Sequence, residues 1–171
     1  MSVKQPFIAH GVLMSVFSQG VLFLGESGSG KSDLTLELLF RGHSLVADDA
    51  VVLTPLAGGG LRGSCPEALR GLLEVRGVGL VDVVRLCGRE AFKPDCTVDA
   101  VIELVRARTP HAYIENRLDT RLQTFSVLNC IIPKLCLPIN ETRPIVALVE
   151  TAVKQWPYLV KDGALHKTSL Q

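Results

Sequence analysis

The segment Gly25-Glu26-Ser27-Gly28-Ser29-Gly30-Lys31-Ser32 constrains this chain more than any other. It satisfies G-x-x-x-x-G-K-[ST] at every fixed position. Ahead of it, Val21-Leu22-Phe23-Leu24 is a continuous apolar run that reads as a fully buried strand. Behind it, residues 31–41 place Leu34 and Leu38 at helical spacing, put Asp33, Glu37 and Arg41 on the other side, and meet Gly42 at the expected C-cap. Glycines between a strand and a helix let the main chain curl until successive N–H groups point inward at phosphate oxygens. The helix adds its positive N-terminal end. Lys31 is then expected to reach the β- and γ-phosphates of a nucleoside triphosphate, and the Ser32 hydroxyl to ligate Mg²⁺. The motif names a ligand, not a reaction.

The surrounding elements narrow the site. Residues 11–17 read as a strand and Ser18-Gln19-Gly20 as a turn, so short a connection that an antiparallel hairpin with the next strand is predicted. The start of the first strand then lies beside the end of the second. That brings His10 next to the glycine-rich loop, as a phosphate contact or a partner for a carboxylate. Ser44-Leu45-Val46-Ala47 reads as a third strand, parallel to the loop strand and neighbouring it, stopped by Asp48-Asp49. Ligands of open α/β sheets bind beyond the carboxyl ends of parallel strands, so both acids fall at the right edge. Adjacent strand side chains point oppositely, so one acid faces the phosphates; parity leaves open which. That acid would help hold Mg²⁺ through water or accept a hydroxyl proton.

Val51-Val52-Leu53 runs toward a hairpin tip at Gly58-Gly59-Gly60. Residues 66–73 suggest a short helix, residues 74–79, with Glu74, Arg76, Gly77 and Gly79, a loop or strand edge, and residues 98–105 a strand. Pro144 opens a helix with Ile145, Leu148, Val149 and Ala152 on one stripe, and Pro157 is expected to end it. Arg117 sits in the charged run Glu115-Asn116-Arg117-Leu118-Asp119, which by pattern alone is a wet surface.

Composition bounds the function class. With 171 residues, 47% of them apolar, one domain spanning residues 1–171 with its own core is expected. A net charge of +1 supplies no broad attraction to nucleic acid or an anionic membrane. No apolar run approaches the ~20 residues of a membrane-spanning helix, and the first residues lack a signal-peptide pattern, so a soluble cytoplasmic protein is predicted. The five cysteines contain no C-x-x-C pair and indicate neither a disulfide framework nor a zinc site. His43, His111 and His166 lack metal-ligand spacing.

Taken together, His10-Gly11-Val12-Leu13, the loop at residues 25–32, Arg41-Gly42-His43 through Asp48-Asp49, and Leu72-Leu73-Glu74-Val75-Arg76-Gly77-Val78-Gly79 make the chain resemble bacterial HPr kinase/phosphorylase. Order and spacing match that family's catalytic domain from about His10 to Gly163, and the Leu-Leu-Glu-Val-Arg-Gly element is more specific than the phosphate loop. The resemblance implies a P-loop-containing α/β domain with a mixed sheet, related in architecture to phosphoenolpyruvate carboxykinase. It implies an ATP- and Mg²⁺-dependent kinase acting on a serine of HPr or an HPr-like phosphocarrier, and a hexamer. Carried over by position, His10, Lys31, Asp49 and Arg117 are catalytic, and Ser32 and Glu74 are Mg²⁺ ligands. Asp49 is the proton acceptor for phosphorylation, and residues 73–82 serve both activities.

Two departures stand out. The additional N-terminal domain of full-length members is not found here. Pro138-Ile139-Asn140-Glu141-Thr142-Arg143 replaces a Pro-Val-x-Pro-Gly-Arg loop associated with dephosphorylation, which predicts weak phosphorylase activity. Two other readings share the loop: another P-loop enzyme, such as a small-molecule kinase or a GTPase, and a non-catalytic nucleotide-sensing module. Asn116-Arg117-Leu118-Asp119 mimics a guanine-specificity motif but has Arg for Lys, and no D-x-x-G switch accompanies it.

Overall fold

The structure, a computed structural model, describes residues 5–106, 122–140 and 142–168. In chain order the elements are β1 (Phe7–His10), β2 (Val12–Val16), β3 (Gln19–Gly25), α1 (Lys31–Phe40), β4 (Ser44–Ala47), β5 (Ala50–Pro55), β6 (Leu61–Ser64), β7 (Leu72–Val75), β8 (Gly79–Asp82), α2 (Val83–Cys87), β9 (Asp95–Thr97), β10 (Ala100–Arg106), β11 (Gln123–Val127), β12 (Cys130–Ile139) and α3 (Ile145–Thr168). A six-stranded sheet runs β11-β12-β10-β3-β2-β4, a four-stranded sheet runs β1-β5-β6-β9, and β7 pairs with β8.

The six-stranded sheet is the middle layer. Val12, Met14, Val21, Phe23 and Ile102 face one way, into a core completed by Leu34 and Leu38 of α1 and by Val149, Val153 and Trp156 of α3. Leu13, Leu22, Val46 and Val101 face the other way, against Ala9, Val51, Leu53 and Leu61 of the four-stranded sheet. A strand buried on both faces cannot alternate polar with apolar residues, which is why residues 21–24 read as one apolar run. Full burial of side chains such as Phe23 and Leu22 contributes roughly 1.5–3 kcal/mol each.

The predicted hairpin is present: β2 and β3 are antiparallel with Val16 opposite Gln19. Phe17 and Ser18 both take positive φ, 48° and 65°, the two-residue turn whose twist suits a hairpin. The third strand differs from expectation. β4 runs in the direction of β3 but does not neighbour it, because β2 lies between them and pairs antiparallel with both. The parallel neighbour of β3 is β10, with Leu104 opposite Gly25.

Two other expectations change, at residues 66–73 and at Pro157. The helix expected at residues 66–73 is a single 3₁₀ turn at Glu67–Leu69, after which the chain enters β7. Residues 74–79, expected as a loop or strand edge, are the end of β7, its turn and the start of β8. Pro157 does not end the last helix, which continues to Thr168. A proline there strips the Val153 carbonyl of its helical N–H partner. Gln19 Nε2 donates to that carbonyl at 3.4 Å, so the hairpin turn takes over the bond the helix lacks.

Candidate active site

The main chain changes sheets twice at one place. It leaves the four-stranded sheet through Gly11, between β1 and β2, and returns through Asp48-Asp49, between β4 and β5. The two crossings are stitched together, the Gly11 N–H donating to the Asp49 carbonyl at 3.2 Å. A Cβ at Gly11 would lie 2.5 Å from the Phe23 carbonyl oxygen, so only glycine passes this close to β3.

That seam sets the two acids apart. Pairing of β1 with β5 puts His10 opposite Ala50, and His10 Nδ1 lies 3.0 Å from Asp49 Oδ1 in an exposed pair. Asp49 takes a left-handed φ of 65°, which Asp tolerates better than most side chains. Asp48 is half-buried, and its Oδ2 accepts the Glu74 N–H at 3.0 Å. Burial pushes the Asp48 carboxyl up; the Asp49 and Glu74 charges add to this, while main-chain N–H groups of Glu74 and Asp49 oppose it.

The loop at residues 25–32 lies between β3 and α1, as its sequence requires. Lys31 Nζ donates to the Gly25 carbonyl at 2.7 Å and the Glu26 carbonyl at 3.1 Å, and lies 3.5 Å from Ser29 Oγ. Burial lowers the Lys31 pKa, and the charges of Asp48 and Asp49 work against that lowering. A cleft of about 440 Å³ is lined by Ser27, Gly28, Gly30, Lys31 and Ser32 of this loop, by His10, Asp48 and Asp49 of the seam, and by Glu74 and Arg76 of the β7–β8 hairpin. Gly25, Glu26 and Ser29 line a smaller neighbouring cavity of about 160 Å³ together with Glu103 and Arg106 of β10.

The sequence-predicted residues His10, Lys31, Ser32, Asp49 and Glu74 therefore share one cleft. Arg117 lies outside the described residues. Sequence reasoning missed Arg106, whose guanidinium donates to the Gly28 carbonyl; only the β3–β10 pairing brings it to the loop. Among the described residues no three His, Cys, Asp or Glu side chains form a metal cage. Nucleotide-bound Mg²⁺ uses one or two protein oxygens with phosphates and water for the rest. Ser32, Asp48 and Glu74, all in this cleft, are a hard-oxygen set that fits such an ion.

Residues 2–168 match the family described as HPr Serine kinase C-terminal domain. The chain belongs to that family. It is 39% identical over 149 residues to the HPr kinase/phosphorylase of Chromobacterium violaceum, covering 87% of this chain and 47% of that protein. It is 44% identical over 150 residues to the corresponding protein of Stenotrophomonas maltophilia, covering 86% and 47%. The chain thus spans about half the length of the curated relatives it matches. The solved structure of the Hpr(Ser) kinase/phosphatase from Coxiella burnetii superposes with a TM-score of 0.82 at 30% identity, covering 96% of this chain and 99% of that one. The mixed α/β architecture with several sheets is thus that of the HPr kinase family.

In the segment between β12 and α3 a side chain does the bracing. Asn140 Oδ1 accepts from the Thr142 N–H at 3.1 Å, the Thr142 hydroxyl at 3.1 Å and the Arg143 N–H at 2.9 Å. Arg143 Nη1 also donates to the Pro138 carbonyl at 2.8 Å. Glu141 lies outside the described residues. No helix among the described residues is long and apolar enough to cross a membrane.

Proposed function

We propose that this domain is an ATP- and Mg²⁺-dependent protein serine kinase that phosphorylates HPr or an HPr-like phosphocarrier. The observation that carries this reading is the shared cleft, in which Lys31 and the loop face the His10–Asp49 pair. Loop N–H groups and Lys31 would hold the triphosphate and its terminal phosphoryl group in line with the incoming hydroxyl. Mg²⁺, held through Ser32 and Glu74, would offset phosphate charge when bound. His10 orients Asp49 by one carboxylate oxygen, which leaves the other to accept the seryl proton as the hydroxyl attacks phosphorus. The phosphoryl group passes to the serine oxygen and ADP leaves. Arg117, carried over from the family pattern, is proposed to offset charge on the transferring group.

The remaining parts of the proposal rest on the family: an architecture related to phosphoenolpyruvate carboxykinase, a cytoplasmic location and a hexamer. Asn140, Glu141 and Thr142 in place of the usual loop residues support only weak dephosphorylation of phosphoserine-HPr. Robust phosphate release from that substrate would remove this part.

Incubation with labelled ATP, Mg²⁺ and a panel of HPr-like proteins tests the kinase reading. Serine phosphorylation is expected with the unaltered chain and is abolished by Lys31→Ala. Asp49→Asn is expected to keep ATP affinity while slowing transfer by about 10²–10⁴-fold, the usual contribution of a positioned base. Nucleotide binding with no serine phosphorylation across the panel would replace the kinase with a nucleotide-sensing module.

A further inference from the structure

A phosphate loop built on glycine has a weakness. Gly28 sits at φ 77°, where its peptide plane can turn over at little cost. With its carbonyl outward, the loop keeps that oxygen clear of an anion bound by the remaining N–H groups; with the carbonyl inward, it offers an oxygen that repels phosphate. Something must bias that plane.

β10 supplies a side chain for the purpose. β3 breaks off into the loop at Gly25, which is opposite Leu104, and β10 continues two residues beyond that point to Arg106. Alternation puts Arg106 on the face of Ile102 and Leu104, which belong to the helix-side core, so its side chain overhangs the loop on the side where α1 begins. Its Nη2 donates to the Gly28 carbonyl. A Cβ on Gly28 would stand 3.7 Å from Arg106 Nη2 and 3.8 Å from Arg76 Nη2, so two guanidinium groups flank this residue. The Ser29 N–H, the other end of the same peptide group, donates to the Glu26 carbonyl at 3.1 Å.

We infer that Arg106 is a positioning residue for the phosphate loop, holding the Gly28 carbonyl away from the cleft so that its oxygen does not face the triphosphate. This rests on the nucleotide-binding reading above and adds a residue to it. Arg106 acts through the loop, so its loss lowers the fraction of chains competent to bind and weakens apparent affinity in proportion.

The test compares the unaltered chain with Arg106→Ala and Arg106→Lys by calorimetric titration with MgATP, alongside steady-state KM and kcat and thermal unfolding. A charge-assisted bond at an exposed site is expected to be worth about tenfold in affinity. Arg106→Ala should therefore raise Kd and KM about tenfold, leave kcat at saturation and the unfolding midpoint near those of the unaltered chain, and regain affinity when millimolar guanidinium ion is added. Arg106→Lys keeps the charge without the planar fork and should bind about threefold more weakly than the unaltered chain. Unchanged affinity in Arg106→Ala, or a loss that neither guanidinium nor lysine relieves, overturns the assignment. If Arg106→Ala does not fold, Arg106→Lys decides alone, and affinity equal to that of the unaltered chain overturns it. Failure of the unaltered chain to bind MgATP would instead remove the nucleotide-binding reading.

Discussion

Replacing three glycines by alanine separates what the loop requires for folding from what it requires for binding. Gly30 and Gly42 have φ of 87° and 88°, and a Cβ on either meets nothing within 4 Å. The left-handed backbone costs an L-residue about 1–2 kcal/mol, offset by about 0.4–1 kcal/mol because alanine restricts the unfolded chain. Gly30→Ala and Gly42→Ala should each lose about 1 kcal/mol by that difference. Gly25 is different: its φ is 147°, and a Cβ would lie 2.8 Å from both the Leu104 carbonyl oxygen and Ser29 Oγ. The serine can rotate away, but the carbonyl belongs to the β10 main chain, so β3 and β10 must part. Gly25→Ala should lose about 3 kcal/mol or more. For a chain of this length each kcal/mol moves the thermal midpoint by about 2–4 °C. Urea and thermal unfolding give the three stabilities, and titration with MgATP gives the affinities. Gly42→Ala should bind as the unaltered chain does, and Gly30→Ala should bind more weakly at equal stability. If Gly25→Ala unfolds no earlier than Gly42→Ala, the close approach of β10 to the loop is not what fixes this glycine.

Two pH dependences follow from charges with opposite fates. The folded state raises the Asp48 carboxyl, chiefly through burial, so its penalty is full above that raised pKa and is relieved as pH falls through it. Asp48→Asn should therefore stabilise the ligand-free domain more at about pH 8 than at about pH 4; an equal effect at both in urea titrations would contradict the burial argument. Glu150 is lowered, first by its hydrogen bond with His43 at 3.0 Å and then, against some burial, by Arg41 and other positive charges. Its stabilisation is present above the ordinary carboxylate pKa and is lost as pH falls through the lowered one. Glu150→Gln should lower the thermal midpoint at about pH 7 and have little effect at about pH 2, and a difference constant across that range would show that the cost is steric.

The glycine-rich loop at residues 25–32 and its helix were legible in the sequence because strand, turn and helix are contiguous and each carries its own signal. The β2–β3 hairpin was legible for the same reason, and with it the position of His10. What was not legible depends on pairing at a distance. β1 is missed because Phe7 and Ile8 are exposed and the strand is only four residues long before Gly11. β12 is hidden by Pro133 and Pro138, residues that argue against an internal strand. Among the described residues each proline has one strand partner: Pro133 lies opposite Thr124 of β11, and Pro138 opposite Val105 of β10. Placing β4 beside β3 fails because β2, which precedes both, inserts between them; direction was predictable, adjacency was not. The choice of Asp49 over Asp48 came from family likeness, and the left-handed φ of Asp49 explains why strand parity could not supply it.

The stitched double crossing at Gly11 and Asp49 has a mechanical consequence. The imidazole of His10 and the carboxylate of Asp49 ride on backbone that belongs to the joint between layers. A substitution that thickens or thins the packing between the sheets displaces both groups as one body, with their mutual spacing preserved. Sequence drift in the outer layer is thereby decoupled from the spacing of this pair, whereas a one-residue slip of β1 along β5 would pull it apart.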